Sequence, residues 1–321
     1  MHDLAPDHPA TSFVVIHPLD AGDAAITAAV RAMARSAKGL ARGVEARVPF
    51  DALMEGVQPR DDVSFHPDTI GGISGIWAQP ADWHLDEAIL HLHGGWFNLG
   101  SANAYRHLVG HIAARARARA FIPDYRLAPE HPFPSATDDV LVCYLGLAER
   151  GVRGIALTGD SAGGNLALGL ARRVTSSAFY SEQTLVGTAA ISPVTDLTLS
   201  GGSYETRAEA DPFFTRPQVA ALVGAYLGSA AATAPLASPL HGEFAGLPPI
   251  RIHVGDDEVL LDDSVRYAAR AAAAGVDIRL DIWTGMAHGF PGSVGKLKAA
   301  ALALDEIGAF VAARLRAHSG P

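Results

Sequence analysis

Apolar and polar positions along the chain change their period more than once. Residues 20–56 carry apolar positions at helical spacing, with Ala28, Ala29 and Met33 recurring and a second short piece from Phe50 to Met54. Proline and glycine then break the pattern. Val63-Ser64-Phe65 and Ile73 to Ala78 read as two strands around a Gly71-Gly72 turn, and Ala88 to His93 as a third strand running into Gly94-Gly95. Beyond this point strands and helices alternate. Ala120–Tyr125, Ile155–Thr158, Ala189–Ile191, Ile250–Val254 and Ile278–Trp283 read as strands. Ser135–Arg150, Ala162–Val174, Asp262–Ala274 and Val294–Leu315 read as helices. Strands that look antiparallel first, followed by βαβ alternation, predict a mixed sheet with helices on both faces. Residues 196–245 break this rhythm and read as an insertion between two sheet strands.

Composition narrows the picture. The chain has 321 residues, 49% of them hydrophobic, which is enough apolar material for one large α/β domain. The formal net charge of −9 argues against nucleic acid as a partner, because phosphate binding needs a basic face. Cys143, the single cysteine, cannot form an internal disulfide and sits in an apolar run as a buried thiol. The first residues lack a basic start followed by an apolar core, and no apolar stretch reaches membrane-spanning length. A cytoplasmic protein is therefore expected. His107 and His111 stand four apart, which is zinc-ligand spacing, but no glutamate follows His107 and a helix surface pair is the better reading. Gly94-Gly95 and Gly163-Gly164 are not nucleotide loops, since neither G-x-G-x-x-G nor a P-loop lysine occurs; no metal or organic cofactor is expected, because the chain's own side chains and amides supply nucleophile, base, acid and oxyanion donors.

The chemistry concentrates around Gly159-Asp160-Ser161-Ala162-Gly163. This stretch fits G-x-S-x-G after a strand and before a helix, where a serine occupies a tight turn at the C-terminal edge of a sheet. The glycines are needed because side chains there would collide with the adjoining strand and helix. A serine hydroxyl needs a base, an orienting acid and an oxyanion trap to act as a nucleophile. The base candidate is His288, in a glycine-containing loop after the final strand; among fourteen histidines its position is the informative part. The acid lies in Gly255-Asp256-Asp257-Glu258-Val259-Leu260-Leu261-Asp262-Asp263. Most of these carboxylates must be solvated or cap the next helix, and spacing alone leaves Asp256, Asp257 and Glu258 open. Gly94 and Gly95, with the amide of Ala162, are the candidate oxyanion donors.

These stretches together resemble the bacterial hormone-sensitive-lipase family of the α/β-hydrolase superfamily. The motifs are HGGWFNLGS (93–101), YRLAPEHPFPSA (125–136), GDSAGGNLA (159–167), EVLLD (258–262) and GMAHGF (285–290), in family order. The resemblance implies an α/β-hydrolase fold: a mostly parallel, eight-stranded sheet flanked by helices, with a helical cap. Residues 1–50 would supply the N-terminal part of the cap and 196–235 its insertion, with 51–195 and 236–321 as the core. Overlaying the family's D-P-L-R-D acid motif on Leu260 and Asp262 places the acid at Glu258, which gives a triad of Ser161, Glu258 and His288. The family usually has three glycines after the motif histidine; here the third is Trp96, whose indole would crowd the pocket. His93 reads as a structural hydrogen-bonder that holds the glycine loop, and the Tyr125–Glu130 stretch as a brace of the sheet edge near that loop.

The expected activity is hydrolysis of small short-acyl esters through an acyl-serine intermediate. Lactonase or amidase action on the same triad is the alternative. A noncatalytic ligand receptor of the same fold is disfavoured, because such receptors lack the base histidine. Trp96, Phe97, Phe213, Phe214 and Tyr226 are candidates for the apolar lining, the last three serving equally well as cap core. Family members often pair through the last sheet strand. The alternation of Ile278, Leu280 and Ile282 with Asp277, Arg279 and Asp281 lets one face bury against a helix, and an edge strand of this length could pair with its copy in a homodimer through Ile278–Trp283; the alternative is a monomer whose edge is blunted by Arg279 and the charges beside it.

Overall fold

The computed structural model describes residues 13–34, 36, 38, 39, 43–176 and 185–319. Of the segment expected as the N-terminal part of a cap, residues 1–12, 35, 37 and 40–42 lie outside the described residues. Among the described residues nine strands form one sheet: β1 (Val14–His17), β2 (Val63–Ile70), β3 (Ile73–Pro80), β4 (Glu87–Leu92), β5 (Ala120–Pro123), β6 (Gly154–Asp160), β7 (Leu185–Ile191), β8 (Ile250–Gly255) and β9 (Ile278–Trp283). Their order is β1-β9-β8-β7-β6-β4-β5-β3-β2. Only the β2–β3 and β3–β5 pairings are antiparallel. The early hairpin and the later parallel alternation thus belong to one sheet.

The helices are α1 (Ala21–Ala34), α2 (Arg47–Glu55), α3 (Ala102–Ala116), α4 (Ser135–Glu149), α5 (Ala162–Thr175), α6 (Ser203–Thr206), α7 (Arg216–Leu227), α8 (Leu261–Ala273) and α9 (Lys298–Ser319). Every residue of β4 is buried, as a central parallel strand covered on both faces must be. Successive side chains feed opposite cores. Ala88, Leu90 and Leu92 belong to the core that includes residues of α4 and α5, whereas Ile89 belongs to the core that includes residues of α3 and α9.

Two sequence expectations are corrected at one edge of the sheet. The sheet has nine strands rather than eight, because Val14–His17 adds a strand to β9 in the register Val14↔Leu280 to His17↔Trp283. Part of the segment expected in the cap therefore belongs to the sheet. The last sheet strand is also not an edge: β8 lies on one side of it and β1 on the other. A homodimer through Ile278–Trp283 would have to displace β1 from Leu280–Trp283, the stretch with which β1 pairs.

The insertion between β7 and β8 carries α6 and α7 and is tied to the loop before α8. Asp211 is the main tie: its Oδ2 accepts the Val259 amide at 2.9 Å, and its Oδ1 accepts Phe213 N at 2.7 Å and Phe214 N at 2.9 Å. Ser203 donates from Oγ to Val259 O at 2.5 Å, and its amide donates to Asp262 Oδ2 at 2.9 Å.

Candidate active site

Ser161 closes β6 and opens α5 with φ 55° and ψ −118°, a conformation that L-residues rarely adopt. The adjoining glycines are a steric necessity. A Cβ on Gly163 would lie 1.8 Å from Leu92 O, and one on Gly159 would lie 2.4 Å from Gly163 O. The turn is pinned from outside as well: Ser161 N donates to Ile191 O at 2.8 Å, and Ser161 O accepts Val194 N at 3.1 Å. Strain at this residue, on the order of 1–3 kcal/mol, is held by the surrounding strands and helix.

The loops after β8 and β9 meet. Asp257 N donates to Met286 O at 3.2 Å and Gly285 N to Asp256 Oδ1 at 2.6 Å. A Cβ on Gly255 would strike Met286 O at 2.1 Å. This contact brings His288 Nδ1 to 2.8 Å from Glu258 Oε2, with Glu258 fully buried and His288 partly exposed. The three acids left open by spacing are thereby separated. Asp256 is engaged by Gly285, Asp257 pairs with Arg31 on α1, and Glu258 meets the histidine. Asp262 and Asp263 do not cap α8 with their side chains but reach the insertion and the segment before it, through Ser203 N, Thr195 N and Asp196 N.

Burial alone would push the His288 pKa down. The charge of Glu258 and its hydrogen bond, with Asp211 and Asp160 farther off, outweigh burial and hold the imidazole above the ordinary histidine value. Nδ1 carries the proton donated to Glu258, so in neutral His288 the lone pair is on Nε2.

The glycine loop corrects one expected donor. Gly94 N is taken by Asp160 Oδ1 at 3.0 Å, and a Cβ on Gly94 would lie 2.3 Å from Asp160 Oδ2. Gly95, at φ 117°, Trp96, at φ 53°, and Phe97, at φ 63°, then turn the chain sharply. Among the described residues the amides of Gly95, Trp96 and Ala162 have no acceptor, which leaves Gly95 and Ala162 available from the expected set and adds Trp96 N. The loop is braced from behind. His93 donates from Nδ1 to Gly94 O at 2.9 Å, Tyr125 donates its hydroxyl to His93 O at 2.7 Å, and the two rings stack at 4.2 Å. Burial drives the His93 pKa down to about 4, so this imidazole stays neutral. Arg47 reaches from α2 to the same region, donating to Asn98 O at 2.9 Å and Ala128 O at 3.0 Å.

The expected lining residues divide. Trp96 meets Phe214 edge-on at 5.4 Å, and Phe214 meets His288 edge-on at 5.1 Å. Phe213, partly buried, follows Phe214 at 6.3 Å. Phe97 and Tyr226 instead stack on each other at 3.7 Å, both fully buried, where the glycine loop packs on α7. A cavity of about 210 Å³ between α9 and the β8–β9 strands, lined by Arg251, Arg279, Glu306 and Phe310 among others, contains none of these site residues. Sequence reasoning missed Asp160 and Ser192. Asp160 accepts both Gly94 N and the Tyr105 hydroxyl; Ser192 donates to Glu258.

Comparison with known proteins agrees with this architecture. Residues 89–292 match the family described as alpha/beta hydrolase fold. An acetyl-hydrolase of Streptomyces hygroscopicus is 34% identical over 75% of this chain and 80% of its own length. An esterase of Acinetobacter venetianus is 35% identical over 76% of this chain and 80% of its own length. The crystal structure of an esterase from the bacterial hormone-sensitive lipase family superposes with a TM-score of 0.85 at 32% identity, covering 90% of this chain and 98% of that one. With that sheet, that serine turn and these relatives, the chain belongs to the α/β-hydrolase family, in its bacterial hormone-sensitive-lipase branch of carboxylic-ester hydrolases.

Proposed function

We propose that Ser161, His288 and Glu258 form the catalytic triad of this hydrolase and that its substrates are small esters with short acyl chains. The observation that carries the assignment is the Glu258–His288 hydrogen bond of 2.8 Å, made by the loops beyond β8 and β9 at the sheet edge where Ser161 closes β6. In this reading Nε2 of His288 takes the proton of Ser161 as its Oγ attacks the ester carbonyl. The amides of Gly95, Trp96 and Ala162 receive the negative oxygen, and His288 returns the proton to the departing alcohol. Water then repeats the sequence on the acyl-serine and releases the acid. Glu258 stabilises the transient imidazolium. The short-acyl preference is supported by the bulk of Trp96 and Phe214, whose rings meet edge-on next to His288.

Every group in the scheme comes from the chain, so a chelator is expected to leave the rate unchanged. The deciding experiment is Ser161→Ala assayed on a panel of p-nitrophenyl esters from acetate to decanoate. Loss of at least about 10⁴-fold in kcat is expected, as for removal of a triad nucleophile. A variant that keeps its activity would remove Ser161 from the mechanism.

A further inference from the structure

We infer that Ser192 is a positioning residue for the acid of the triad, and that Ile191–Val194 couples the acid to the nucleophile. The inference rests on Glu258 acting as that acid. Glu258 has two carboxylate oxygens and no exposure to water. Its Oε1 accepts the Ser192 hydroxyl at 2.7 Å and the Gly255 amide at 2.7 Å, while Oε2 accepts His288 Nδ1 at 2.8 Å. A glutamate side chain has one more rotatable bond than aspartate. With Oε1 held by two donors from different strand ends, that extra freedom is removed and Oε2 is aimed at the imidazole.

Ser192 is itself held in an unusual conformation. It is 1% exposed and adopts φ 45°, in the left-handed region, immediately after β7. Its amide donates to His253 O on β8 at 2.7 Å. The residues on either side grip the nucleophile turn: Ile191 O accepts Ser161 N at 2.8 Å, and Val194 N donates to Ser161 O at 3.1 Å. Asn165, one helical turn beyond the serine, donates from Nδ2 to Val194 O at 2.8 Å. Pro193 packs so closely on α5 that a Cβ on Gly164 would lie 2.9 Å from its Cβ. Four consecutive residues therefore fix the backbone of Ser161 through main-chain bonds and the carboxylate of Glu258 through one hydroxyl. The residue between the two grips must turn sharply to present that hydroxyl, which accounts for its positive φ.

Two substitutions separate the hydroxyl from the backbone. Ser192→Gly keeps the left-handed conformation without steric cost and removes the hydroxyl; Ser192→Ala removes the hydroxyl and retains the strain. If the hydroxyl positions Glu258, both variants lose on the order of tenfold or more in kcat, the range for a lost hydrogen bond to a charged group, with KM within about twofold. If the residue serves only the turn, Ser192→Gly keeps full kcat and the inference falls. A double-mutant cycle with Glu258→Gln supplies the second readout. The Ser192→Gly loss is expected to shrink to less than about twofold once the carboxylate is gone; an undiminished loss would place the effect elsewhere. The cycle also keeps the two ideas apart. A crippled Glu258→Gln beside fully active Ser192 variants overturns the positioning role alone, whereas a fully active Glu258→Gln overturns the triad and the positioning role together.

Discussion

His288 is the residue on which most of the expected behaviour converges. Its pKa is raised because the charge and hydrogen bond of Glu258 outweigh the effect of burial. The protonated imidazole cannot act as a base, so kcat/KM is expected to rise with pH through a midpoint above the ordinary histidine value and then to level off. The associated stability has the opposite sense. A raised folded-state pKa favours folding below the unfolded pKa, and that contribution is lost as pH rises through the folded one. A rate profile whose midpoint lies below the ordinary histidine value would contradict the ion pair. Glu258→Gln is expected to cut kcat severely with the fold retained, and Asp256→Asn to do less, since Asp256 serves Gly285 N and not the imidazole; the reverse ranking in steady-state assays would move the acid. Trp96 takes φ 53° where a glycine would be unstrained and puts its indole against Phe214. Trp96→Gly is expected to broaden chain-length acceptance on the p-nitrophenyl ester series, and an unchanged profile would remove Trp96 from the pocket wall. At this scale the sequence was legible where a motif specifies a backbone shape, as at Gly159, Ser161 and Gly163. It was not legible where one side chain takes a donor from a distant loop. Nothing local to HGGW reveals that Asp160 claims the Gly94 amide, and Ile191-Ser192-Pro193 carries no motif that names Ser192 as a partner of Glu258.

Between elements, the insertion and the acid loop behave as one unit because of a few buried side chains. Asp211 is fully buried and accepts three amides, two on its own segment and one on Val259, next to Glu258. Asp211→Ala leaves those three donors without a partner. At roughly 1–3 kcal/mol for a buried unsatisfied group, partly relieved by water, a loss of about 2–4 kcal/mol is expected in urea denaturation. Activity should fall as well, because Val259 adjoins Glu258, the proposed acid, and Phe214 meets His288 edge-on. A variant with wild-type stability would show that Asp211 adds nothing to the Ser203 hydrogen bonds and apolar contacts that also hold the insertion. Periodicity located most of the sheet and helices, since β5 is a continuous apolar run and β8 alternates Ile250, Ile252 and Val254 with Arg251 and His253. It passed over Val14–His17 because four residues, with Ile16 pointing outward and 59% exposed, carry too little alternation to stand out. It also gave Asp262 and Asp263 the local role of helix caps, where their partners lie some sixty residues away at Thr195, Asp196 and Ser203.

For the molecule as a whole, the N-terminal strand decides what the sheet presents at one end. β1 pairs with β9 in parallel along its whole length, and its last residue, His17, stacks on Trp283 at 3.7 Å and bonds through Nε2 to Asp281 Oδ1 at 2.7 Å. Asp281 is buried, with Arg279 at 2.7 Å and His253 Nε2 at 3.9 Å as its further partners. Removing residues 1–17 therefore does two things. It takes the His17 contact from a buried carboxylate, which weakens the fold, and it exposes the backbone row of β9 to any extended segment that can pair with it. The truncated chain is expected to melt at a lower temperature than the full chain and to gain mass with concentration in light scattering. The full chain, whose β9 is already paired on both sides, should gain no mass through that strand. If the two chains melt together and scatter alike across the same concentration range, β1 contributes neither stability nor protection, and the ninth strand has no energetic role in the sheet.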